Sequence, residues 1–450
     1  MPLGGNALTQ ISNYFTATQH FFSDVFMPNL KGKPYITISA KGLSNGLSTM
    51  PNDGADFGPD TTLGATSKNQ TGGTLTQTYG IQEMGNSIPN DGLTYVCWVS
   101  PGIYYVDSEI TLPNVLMVGN GIDTEIIANS SMTNLCTISA PSGYTYHHNG
   151  SIALQWYGNG KLTGYVLGIN STDIILQKNW IHGGVIGFKM LEGKGIFMHN
   201  YFEGNTDTGF SLGYSNSAGA NASRIANCSV NNNYFQGNGQ DLGIYGYDLM
   251  IYGNRFGDGN SNPWNIYIDQ SYAIEIFGNV FHNPMLAGNN LYPLISINNS
   301  TEGGTSKNYN NTISIHDNIV TGLGNLPTYF VLSQTPSSGY VPIITYLKNN
   351  HISATGTGFV NDYAYFEEIY ENSPFIVSSS SITAGTSPYT FPTQPYKRRL
   401  VLTTANGISA LTLNGTSISI SPNIPIEIIP TDTLIATWAT TAPIFEEIPE

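Results

Sequence analysis

Charged residues, cysteines and long apolar stretches are all scarce in this 450-residue chain. Lysine and arginine total only 15 and the formal net charge is −15. Such a chain is not expected to bind nucleic acid, because phosphates require a basic surface. The three cysteines, Cys97, Cys136 and Cys228, are too few for a disulfide framework. No stretch has the length and apolarity of a membrane span, so we expect none.

The N-terminus also lacks the basic region and apolar core of a secretion signal. Glycine (50) and tyrosine (28) are abundant, and tyrosine alone outnumbers lysine plus arginine (15). This composition is typical of β-structure with many turns. The composition resembles that of extracellular proteins, yet the sequence has no recognisable secretion signal. Together these features indicate a protein that leaves its cell as part of a particle.

An asparagine flanked by apolar residues at fixed distances recurs along most of the chain, as in Gly195–Gly204, GIFMHNYFEG. The repeating asparagines are Asn179, Asn200, Asn233, Asn254, Asn279, Asn318 and Asn350. The residues three positions before them are all apolar: Leu176, Phe197, Val230, Ile251, Ile276, Ile315 and Leu347. The residues two positions after them are also all apolar: Ile181, Phe202, Phe235, Phe256, Phe281, Val320 and Ile352.

The asparagines recur every 21 to 39 residues, and the apolar residues around them alternate as in a strand. We therefore predict an all-β solenoid, a parallel β-helix whose coils stack about 4.8 Å apart. The asparagine is expected at a bend between strands, where its amide satisfies backbone groups that turn inward. Leucine there would leave those groups unpaired, at a cost of about 1–3 kcal/mol each.

Four motifs open the solenoid in a characteristic order. They are an acidic, glycine-rich turn at Asp53–Asp60, a short helix at Gly80–Ile88, a PG-x-Y strand start within Ser100–Val106 and a GxG bend at Val118–Gly121. This order resembles the start of the pectate-lyase-like β-helix superfamily, and the resemblance extends over roughly residues 50–355. It implies a single-stranded, right-handed parallel β-helix. It does not imply one reaction, because the superfamily includes lyases, hydrolases, epimerases, viral tailspikes and non-catalytic adhesins.

The repeat is also expected to include Asn120, with Val115, Met117 and Ile122 in its apolar positions. Between Asn120 and Asn179 the spacing becomes irregular. There we predict loops or a disturbed coil, including Trp156–Gly160.

Both ends of the chain differ from the solenoid. Apolar residues at near-helical spacing predict a helix over residues 11–26, which either caps the solenoid or docks on a larger assembly. Residues 383–450 contain alternating strands and Asn-Gly turns, which predict a small antiparallel β-domain. We therefore expect an N-terminal helical or attachment segment (1–45), the β-helix (46–370) and a C-terminal trimerisation or tip domain (383–450).

The C-terminal stretch from Ser387–Thr390 to Ile448–Pro449 resembles the β-module of spike-like β-helix proteins of viruses, including viruses of thermophilic archaea. This resemblance implies a tailspike-like homotrimer on the virion surface, since a three-fold spike suits a protein projecting from an axis. The N-terminal segment would then contact other virion proteins.

Outward positions beside the asparagines form two columns of candidate binding residues. The column one position after the asparagine holds Trp180, Tyr201, Tyr234 and Arg255, and the column three positions after it includes His182, Glu203 and Gln236. Sugar rings stack on aromatic faces, so Trp180, Tyr201, Tyr234, Arg255, His182 and Gln236 are candidate glycan-binding residues. Alternatively, the aromatic side chains are covered by a loop or a neighbouring subunit, because Trp and Tyr are usually well buried.

Glu203 with Asp207 is a candidate catalytic pair, because glycosidases use two carboxyl groups about 5–10 Å apart. Asp241 is an alternative partner for Glu203. Against catalysis, some of the 30 acidic residues meet by chance, and a solvated loop carboxylate is the stronger explanation of Glu203. Asn205-Thr-Asp207 resembles the first element of the polygalacturonase signature, but the other elements of that signature and the calcium-binding pattern of pectate lyases are missing. We therefore do not expect a standard pectinolytic enzyme.

No metal or cofactor is expected, since His147 and His148 lack an acidic or cysteine partner at ligand spacing. Three functional hypotheses remain. The first is a virion spike or fibre that binds a host cell-surface glycan or a glycosylated appendage. The second is a glycoside hydrolase or polysaccharide lyase that depolymerises the same glycan. The third is a purely structural virion component.

Overall fold

The structure is a computed structural model, in which two compact units divide the chain. The first contains Met1–Phe188 and Gly193–Gly195, and the second contains Lys189–Glu192 and Ile196–Glu450. The described residues are 36–40, 55–60, 66–67, 77–89, 91, 93–140, 148–213, 225–257, 264–269, 271–282, 293–298, 312–321, 329–333, 343–352, 358–360, 365–370, 380–384, 386–391, 398–404, 408–419, 425–429, 432–439 and 442–449. The helix predicted over residues 11–26 and His147 lie outside them.

The described residues of the first unit form mostly parallel strands and one short helix. The helix is α1 (Ile81–Ser87), and the strands are β1 (Ile36–Ile38), β2 (Pro59–Asp60), β3 (Thr66–Ser67), β4 (Tyr95–Val99), β5 (Gly102–Val106), β6 (Ile110–Leu112), β7 (Val115–Ala128), β8 (Cys136–Ser139), β9 (His148–Tyr157), β10 (Tyr165–Gln177) and β11 (Trp180–His182). Parallel pairing runs from β1 to β4, β7, β9 and β10, while β2 and β3 pair antiparallel. Strand β12 (Ile186–Met198) carries residues of both units.

Helix α1 confirms the short helix predicted from the opening motifs. The hydroxyl of Thr78 accepts a hydrogen bond from the Gln82 backbone N–H at 3.0 Å, which satisfies a donor in the first turn. Ile81 and Met84 are fully buried, so the helix contributes apolar side chains to the core of the first unit. No helix among the described residues has the length and apolarity needed to cross a membrane.

The repeat does not extend to Asn120, and that prediction is wrong. Asn120 is exposed and Ile122 is 71% exposed. The pairing of β7 with β9 shifts register on both sides of Gly121, so the intervening residues leave the regular alternation. Asn114 and Asn149 are the buried asparagines of this region, and their side chains approach to 3.5 Å.

The loop predicted at Trp156–Gly160 is also wrong in its first part. Strand β9 continues to Tyr157, and the fully buried Trp156 indole donates to the Ser151 hydroxyl at 2.9 Å. The same region holds the first repeat asparagine, Asn179. Its Oδ1 accepts from the Ser151 hydroxyl at 2.7 Å and from the Leu154 N–H at 3.2 Å.

The second unit repeats a group of three short strands. They are β13 (Tyr201–Glu203), β14 (Thr208–Leu212), β15 (Ile225–Asn231), β16 (Tyr234–Gln236), β17 (Gln240–Ile244), β18 (Gly246–Tyr252), β19 (Arg255–Gly257), β20 (Ile266–Asp269), β21 (Tyr272–Phe277), β22 (Val280–His282), β23 (Pro293–Asn298), β24 (Ile313–His316), β25 (Ile319–Thr321), β26 (Tyr329–Ser333), β27 (Ile343–Lys348), β28 (His351–Ile352), β29 (Gly358–Val360) and β30 (Tyr365–Tyr370). From β13 to β30 each strand pairs in parallel with the strand three places later, as β13 does with β16 and β16 with β19. The predicted parallel β-helix is thereby confirmed.

A column of phenylalanines fills the inside of this unit. Phe202, Phe235, Phe256 and Phe281 are fully buried and stack on one another, with ring centroids 5.0, 4.9 and 5.0 Å apart. Cys228 occupies another inward position, where it pairs in register with Leu249, as expected for a small core residue. The stack spacing matches the distance between coils, so each ring contacts the rings above and below it.

A buried asparagine ladder runs beside the phenylalanines through Asn200, Asn233, Asn254, Asn279, Asn318 and Asn350. The Oδ1 of each later asparagine accepts from the backbone N–H of the preceding one at 2.9–3.1 Å. The same Oδ1 accepts from the preceding Nδ2 at 2.9–3.0 Å. Each Nδ2 from Asn233 onward also donates to a backbone carbonyl of the coil before. The amides therefore satisfy the bend, as predicted.

The residue immediately before every repeat asparagine has a left-handed backbone conformation, with φ between 52° and 65°. These residues are Lys178, His199, Asn232, Gly253, Gly278, Asp317 and Asn349. The left-handed residue turns the chain so that the following amide points inward. Two of the seven are glycine and three are asparagine or aspartate, residue types that adopt this conformation more readily than most.

Residues 380–449 confirm the small antiparallel domain. Its strands are β31 (Ser380–Thr383), β32 (Tyr389–Thr390), β33 (Arg398–Thr404), β34 (Ile408–Leu413), β35 (Thr416–Ser417), β36 (Pro425–Ile428), β37 (Leu434–Trp438) and β38 (Ile444–Pro449). They form two four-stranded sheets, ordered β31-β38-β33-β36 and β32-β37-β34-β35. One buried cluster, which includes Leu400 and Phe445 from the first sheet and Leu411 and Leu434 from the second, joins them.

Candidate functional site

Tyr201, Tyr234 and Arg255 lie in register on β13, β16 and β19 of the second unit. The two tyrosine rings are 4.9 Å apart, and the Arg255 guanidinium carbon lies 5.3 Å from the centre of the Tyr234 ring. Both tyrosines are half-buried and Arg255 is exposed. These three residues are hereafter the outward column. Because strand residues alternate, the buried phenylalanines next to them fix which way the outward column faces.

A polar column runs beside the outward column. Glu203 is in register with Gln236, and Gln236 is in register with Gly257. The Tyr201 hydroxyl donates a hydrogen bond to the Gln236 side-chain carbonyl, which ties the two columns together. Glu203 and Gln236 are half-buried, so both remain within reach of a ligand at this surface.

Tyr201, Tyr234 and Arg255 occupy three successive coils, and the same column later reaches His351, which is in register with Ile319. After Arg255 the outward positions become Val280 and then Ile319, which is 41% exposed. The three coils thus combine ring faces, a guanidinium and side-chain amide and carboxyl groups. Such a surface can stack on sugar rings, hydrogen-bond to hydroxyls and pair with an anionic group.

The two acids considered as partners for Glu203 have different environments. Asp207 is on the surface just before β14, and desolvation raises the pKa of its carboxyl group above the usual value. Asp241 is fully buried, and its two oxygens accept from the side-chain amides of Asn238 at 3.0 Å and Asn265 at 2.7 Å. Asp241 is therefore a structural carboxylate, and Asp207 is the surface acid of the two.

Asp241 belongs to a second buried ladder that the sequence interpretation missed. Asn238 Oδ1 accepts from the backbone N–H and the Nδ2 of Asn205, at 3.2 and 2.9 Å. The Asn238 Nδ2 in turn donates to the Phe202 carbonyl at 3.0 Å. A signal was present, because Asn205 and Asn238 each follow a repeat asparagine by five residues. The abundance of asparagine in this chain concealed it.

Trp180 and His182 lie on β11 of the first unit, where the His182 ring is stacked by two aromatic neighbours. Tyr157 lies 4.3 Å away at an angle of 9°, and Trp180 lies 4.6 Å away at 22°. Gln155 Nε2 lies 3.0 Å from His182 Nε2 and 3.1 Å from Glu125 Oε1. Burial lowers the pKa of His182 to about 4 and raises the pKa of Glu125.

Glu125, Gln155 and Tyr157 were not found from the sequence, because they lie where the asparagine spacing becomes irregular. Their register is visible only in the pairing of β7, β9 and β11, in which Glu125 is opposite Gln155 and Gln155 is opposite Trp180. The continuation of the outward column from Tyr201 to Trp180 stays a prediction.

A further aromatic row in the second unit was also missed. Tyr252, Phe277 and His316 stack with ring centroids 5.0 and 5.3 Å apart. His316 contacts Glu275 Oε1 at 3.1 Å and Asp317 Oδ2 at 2.6 Å. The hydrogen bond from His316 lowers the pKa of Asp317. Across the described ranges, no three His, Cys, Asp or Glu side chains converge as a metal ion requires.

Comparison with solved structures identifies proteins of the same architecture. A protein of Geobacillus virus E2, ORF18, matches with a TM-score of 0.51 and 13% identity over 98% of this chain and 79% of its own. The enzymatically active domain of tailspike protein 2 of bacteriophage CBA120 matches with a TM-score of 0.42 and 11% identity, over 84% of this chain and 75% of its own. The A-module of the Azotobacter vinelandii mannuronan C-5 epimerase AlgE6 matches with a TM-score of 0.37 and 14% identity, over 65% of this chain and 93% of its own.

These likenesses concern the fold. The chain has a parallel β-helix fold, and its likeness to the ORF18 protein extends over 98% of this chain. No protein-family model matches the sequence, and no curated protein sequence matches it. Function therefore has to be inferred from the residues themselves.

Proposed function

We propose that this chain is a spike or fibre protein of a virion surface that binds a host cell-surface glycan or glycosylated appendage through Tyr201, Tyr234 and Arg255. The observation that carries the proposal is their register on three neighbouring coils, with two ring faces and a guanidinium on one outward row. A row that repeats with the coil spacing suits a ligand that itself repeats, as a polysaccharide does. The fold shared with a Geobacillus virus protein fits a virion role.

The charge of the outward column favours a glycan that carries an anionic group. Arg255 is exposed and stacks over Tyr234, so its guanidinium is held at the surface without an observed ion pair among the described residues. A carboxylate or phosphate on the glycan would accept paired hydrogen bonds from it. The half-buried Glu203 and Gln236 beside it would accept and donate hydrogen bonds to sugar hydroxyls.

The test is binding of the full chain to an array of neutral and acidic glycans, followed by titration of the best probe against variants. Tyr234→Ala and Arg255→Ala should each weaken binding about tenfold or more, since each removes a stacking or charged contact. Tyr272→Ala is the matched control, because Tyr272 is a half-buried tyrosine stacked 4.9 Å from Tyr247 on other strands of the same unit. Equal binding by all variants and the wild type would exclude the outward column as the glycan-binding site.

Depolymerisation of the bound glycan is a second candidate function, favoured by one observation. Desolvation raises the pKa of Asp207, as a proton donor requires, and Glu203 stands beside the outward column as a possible second carboxyl group. Incubation with the bound glycan should then release reducing ends or unsaturated products. Glu203→Gln should abolish that release and leave binding within about twofold. If the wild-type protein releases no products from a glycan that it binds, the depolymerase function is excluded and the binding function stands.

We further propose a homotrimer that attaches to other virion proteins through residues 1–45, with residues 46–370 as the β-helix and 383–450 as the C-terminal domain. Sedimentation equilibrium of the full chain would give three times the 48.6 kDa chain mass for a trimer. If Tyr201 and Tyr234 instead lie under a neighbouring subunit in that assembly, the purely structural alternative would hold.

A further inference from the structure

A hydrogen-bonded relay crosses three strands of the first unit, from Glu125 through Gln155 to His182. Gln155 is only 8% exposed, and its Nε2 contacts Glu125 Oε1 at 3.1 Å and His182 Nε2 at 3.0 Å. The negative carboxylate requires the donating end of the amide, so Gln155 Nε2 supplies both hydrogens. His182 Nε2 must then accept, and the imidazole proton lies on Nδ1.

The relay leaves polar atoms available at the surface. Glu125 and His182 are half-buried, and Glu125 Oε2 and His182 Nδ1 have no hydrogen-bond partner within the described part of the chain. The lowered pKa of His182, about 4, agrees with a neutral ring that donates from Nδ1 near neutral pH. The cluster therefore presents one strong acceptor and one donor.

The aromatic neighbours give the same cluster an apolar face. Tyr157 and Trp180 stack on the His182 ring at 4.3 and 4.6 Å and hold its plane in place. Trp180 is itself half-buried, in register with Gln155, so part of the indole remains exposed beside the relay. A ring face next to a directed donor and acceptor is what recognition of a sugar requires, because sugars carry apolar C–H faces edged with hydroxyls.

The charge of the cluster selects the class of sugar. Within the described residues no lysine or arginine pairs with Glu125, so its carboxylate is not neutralised by an ion pair. An acidic sugar would be repelled, whereas hydroxyl groups would donate to Glu125 and accept from His182. The cluster therefore suits an uncharged sugar, in contrast with the arginine-containing outward column of the second unit.

We infer that Glu125, Trp180 and His182, positioned by Gln155 and Tyr157, form a second glycan-binding site that takes an uncharged sugar ring. The inference rests on the proposed function in one respect only, that the ligand is a surface glycan. It adds a binding site in the first unit and assigns the two sites different sugar classes.

The experiment titrates the full chain with uncharged hexose oligomers and with uronate-containing oligomers. Trp180→Ala and Glu125→Gln should each weaken binding of the uncharged oligomer about tenfold or more and leave the uronate oligomer within about twofold. Tyr234→Ala should do the reverse. If no uncharged oligomer binds wild type, or if both first-unit variants bind it within twofold, the inference is overturned. Loss of uronate binding in Tyr234→Ala would still support the outward column in either case.

A conservative variant separates recognition from folding. Trp180→Tyr keeps a ring at the same position and should retain binding of the uncharged oligomer within about threefold, with an unchanged melting temperature. Loss of binding in a folded Trp180→Tyr as complete as in Trp180→Ala would overturn the stacking role. Nitrogen-15 NMR of His182 provides a second readout, since Nδ1 protonation at neutral pH is expected and Nε2 protonation would contradict the relay.

Discussion

Each asparagine of the ladder performs several tasks at one buried position. Asn254 accepts from the backbone N–H and Nδ2 of Asn233, at 2.9 and 3.0 Å, and donates to the Val230 carbonyl at 2.9 Å. Its own backbone N–H donates to Asn279 at 2.9 Å. An apolar residue of similar size cannot supply these contacts, so the ladder amides stabilise the coil.

Asn254→Leu should lower the free energy of unfolding by about 3–6 kcal/mol, because it leaves three buried groups of Asn233 and Val230 without their partner. Asn120→Leu is the matched control, since Asn120 is exposed, and should change stability by less than about 0.5 kcal/mol. Denaturant-induced unfolding of both variants checks this. Similar losses in the two variants would mean that the ladder adds little.

The left-handed residue before each asparagine gives a second prediction. Gly278 has φ of 60°, and an added Cβ there would meet no atom within 4 Å, so only the backbone conformation opposes a side chain. Gly278→Ala should therefore lower stability by about 1 kcal/mol. Ala273→Gly, at a position with φ of 51°, should not lower it. Melting temperatures of the two variants provide the comparison, and an unaffected Gly278→Ala protein would contradict the strain at this bend.

The His182 environment predicts a pH dependence. Burial lowers the pKa of His182 from 6.5 to about 4, so between these values the unfolded chain binds a proton that the folded chain does not. Stability should accordingly fall as the pH drops from 6.5 toward 4. His182→Gln should reduce that fall, measured as the melting-temperature difference between pH 7 and pH 4.5. The same difference in wild type and variant would show that His182 is not the group responsible.

At the residue scale, the sequence predicts the buried inward positions well. It predicts poorly which residues are left-handed and which lie beside a register shift. Leu176 and Phe197 are buried as expected, because an apolar side chain repeated at fixed spacing has one energetic explanation. The left-handed Lys178 could not be predicted, since lysine does not favour that conformation and the surrounding coil imposes it. Glu125 and Gln155 were missed because their pairing depends on a register shift in β7.

At the scale of elements, the three-residue strands β13, β16, β19 and β22 carry both the core and the candidate site. Each has one fully buried phenylalanine, and the flanking residues are half-buried or exposed except for the buried Gly257 of β19. The period of two makes these roles inseparable, because a shift by one residue would exchange core and surface. This is why the outward column could be predicted from the sequence once the phenylalanines were aligned.

The inward and outward ring stacks should respond differently to the same substitution. Phe256→Ala removes a fully buried ring between Phe235 and Phe281 and should lower stability by about 3–5 kcal/mol. Phe277→Ala removes a half-buried ring between Tyr252 and His316 and should cost much less, about 1–2 kcal/mol. Unfolding in denaturant measures both. Equal losses would contradict the assignment of the inward stack as the core.

The sequence patterns did not predict strands β7 and β9 correctly. Strand β7 contains an irregular stretch around Gly121, so its asparagine matched the repeat by spacing alone and Asn120 was placed in it wrongly. Strand β9 carries Trp156 in the core although its sequence resembles a turn. In both cases pairing with neighbouring strands overrides the local preference of the residues.

At the scale of the molecule, a repeating coil and a repeating ligand are related by geometry. Stacked coils place equivalent side chains about 4.8 Å apart, and in the second unit Tyr201, Tyr234 and Arg255 occupy three such places. The sequence could predict this arrangement because both the fold and the site follow one repeat. It could not identify a ligand, because the repeat specifies where side chains lie and not which molecule they contact.

The most direct measurement is a crystal structure of the full chain with the acidic oligosaccharide that binds best on the array. The expected result is a sugar ring in contact with the faces of Tyr201 and Tyr234, with its anionic group hydrogen-bonded to Arg255. Density for the sugar elsewhere on the second unit, with the outward column covered by a neighbouring subunit, would contradict the proposed site.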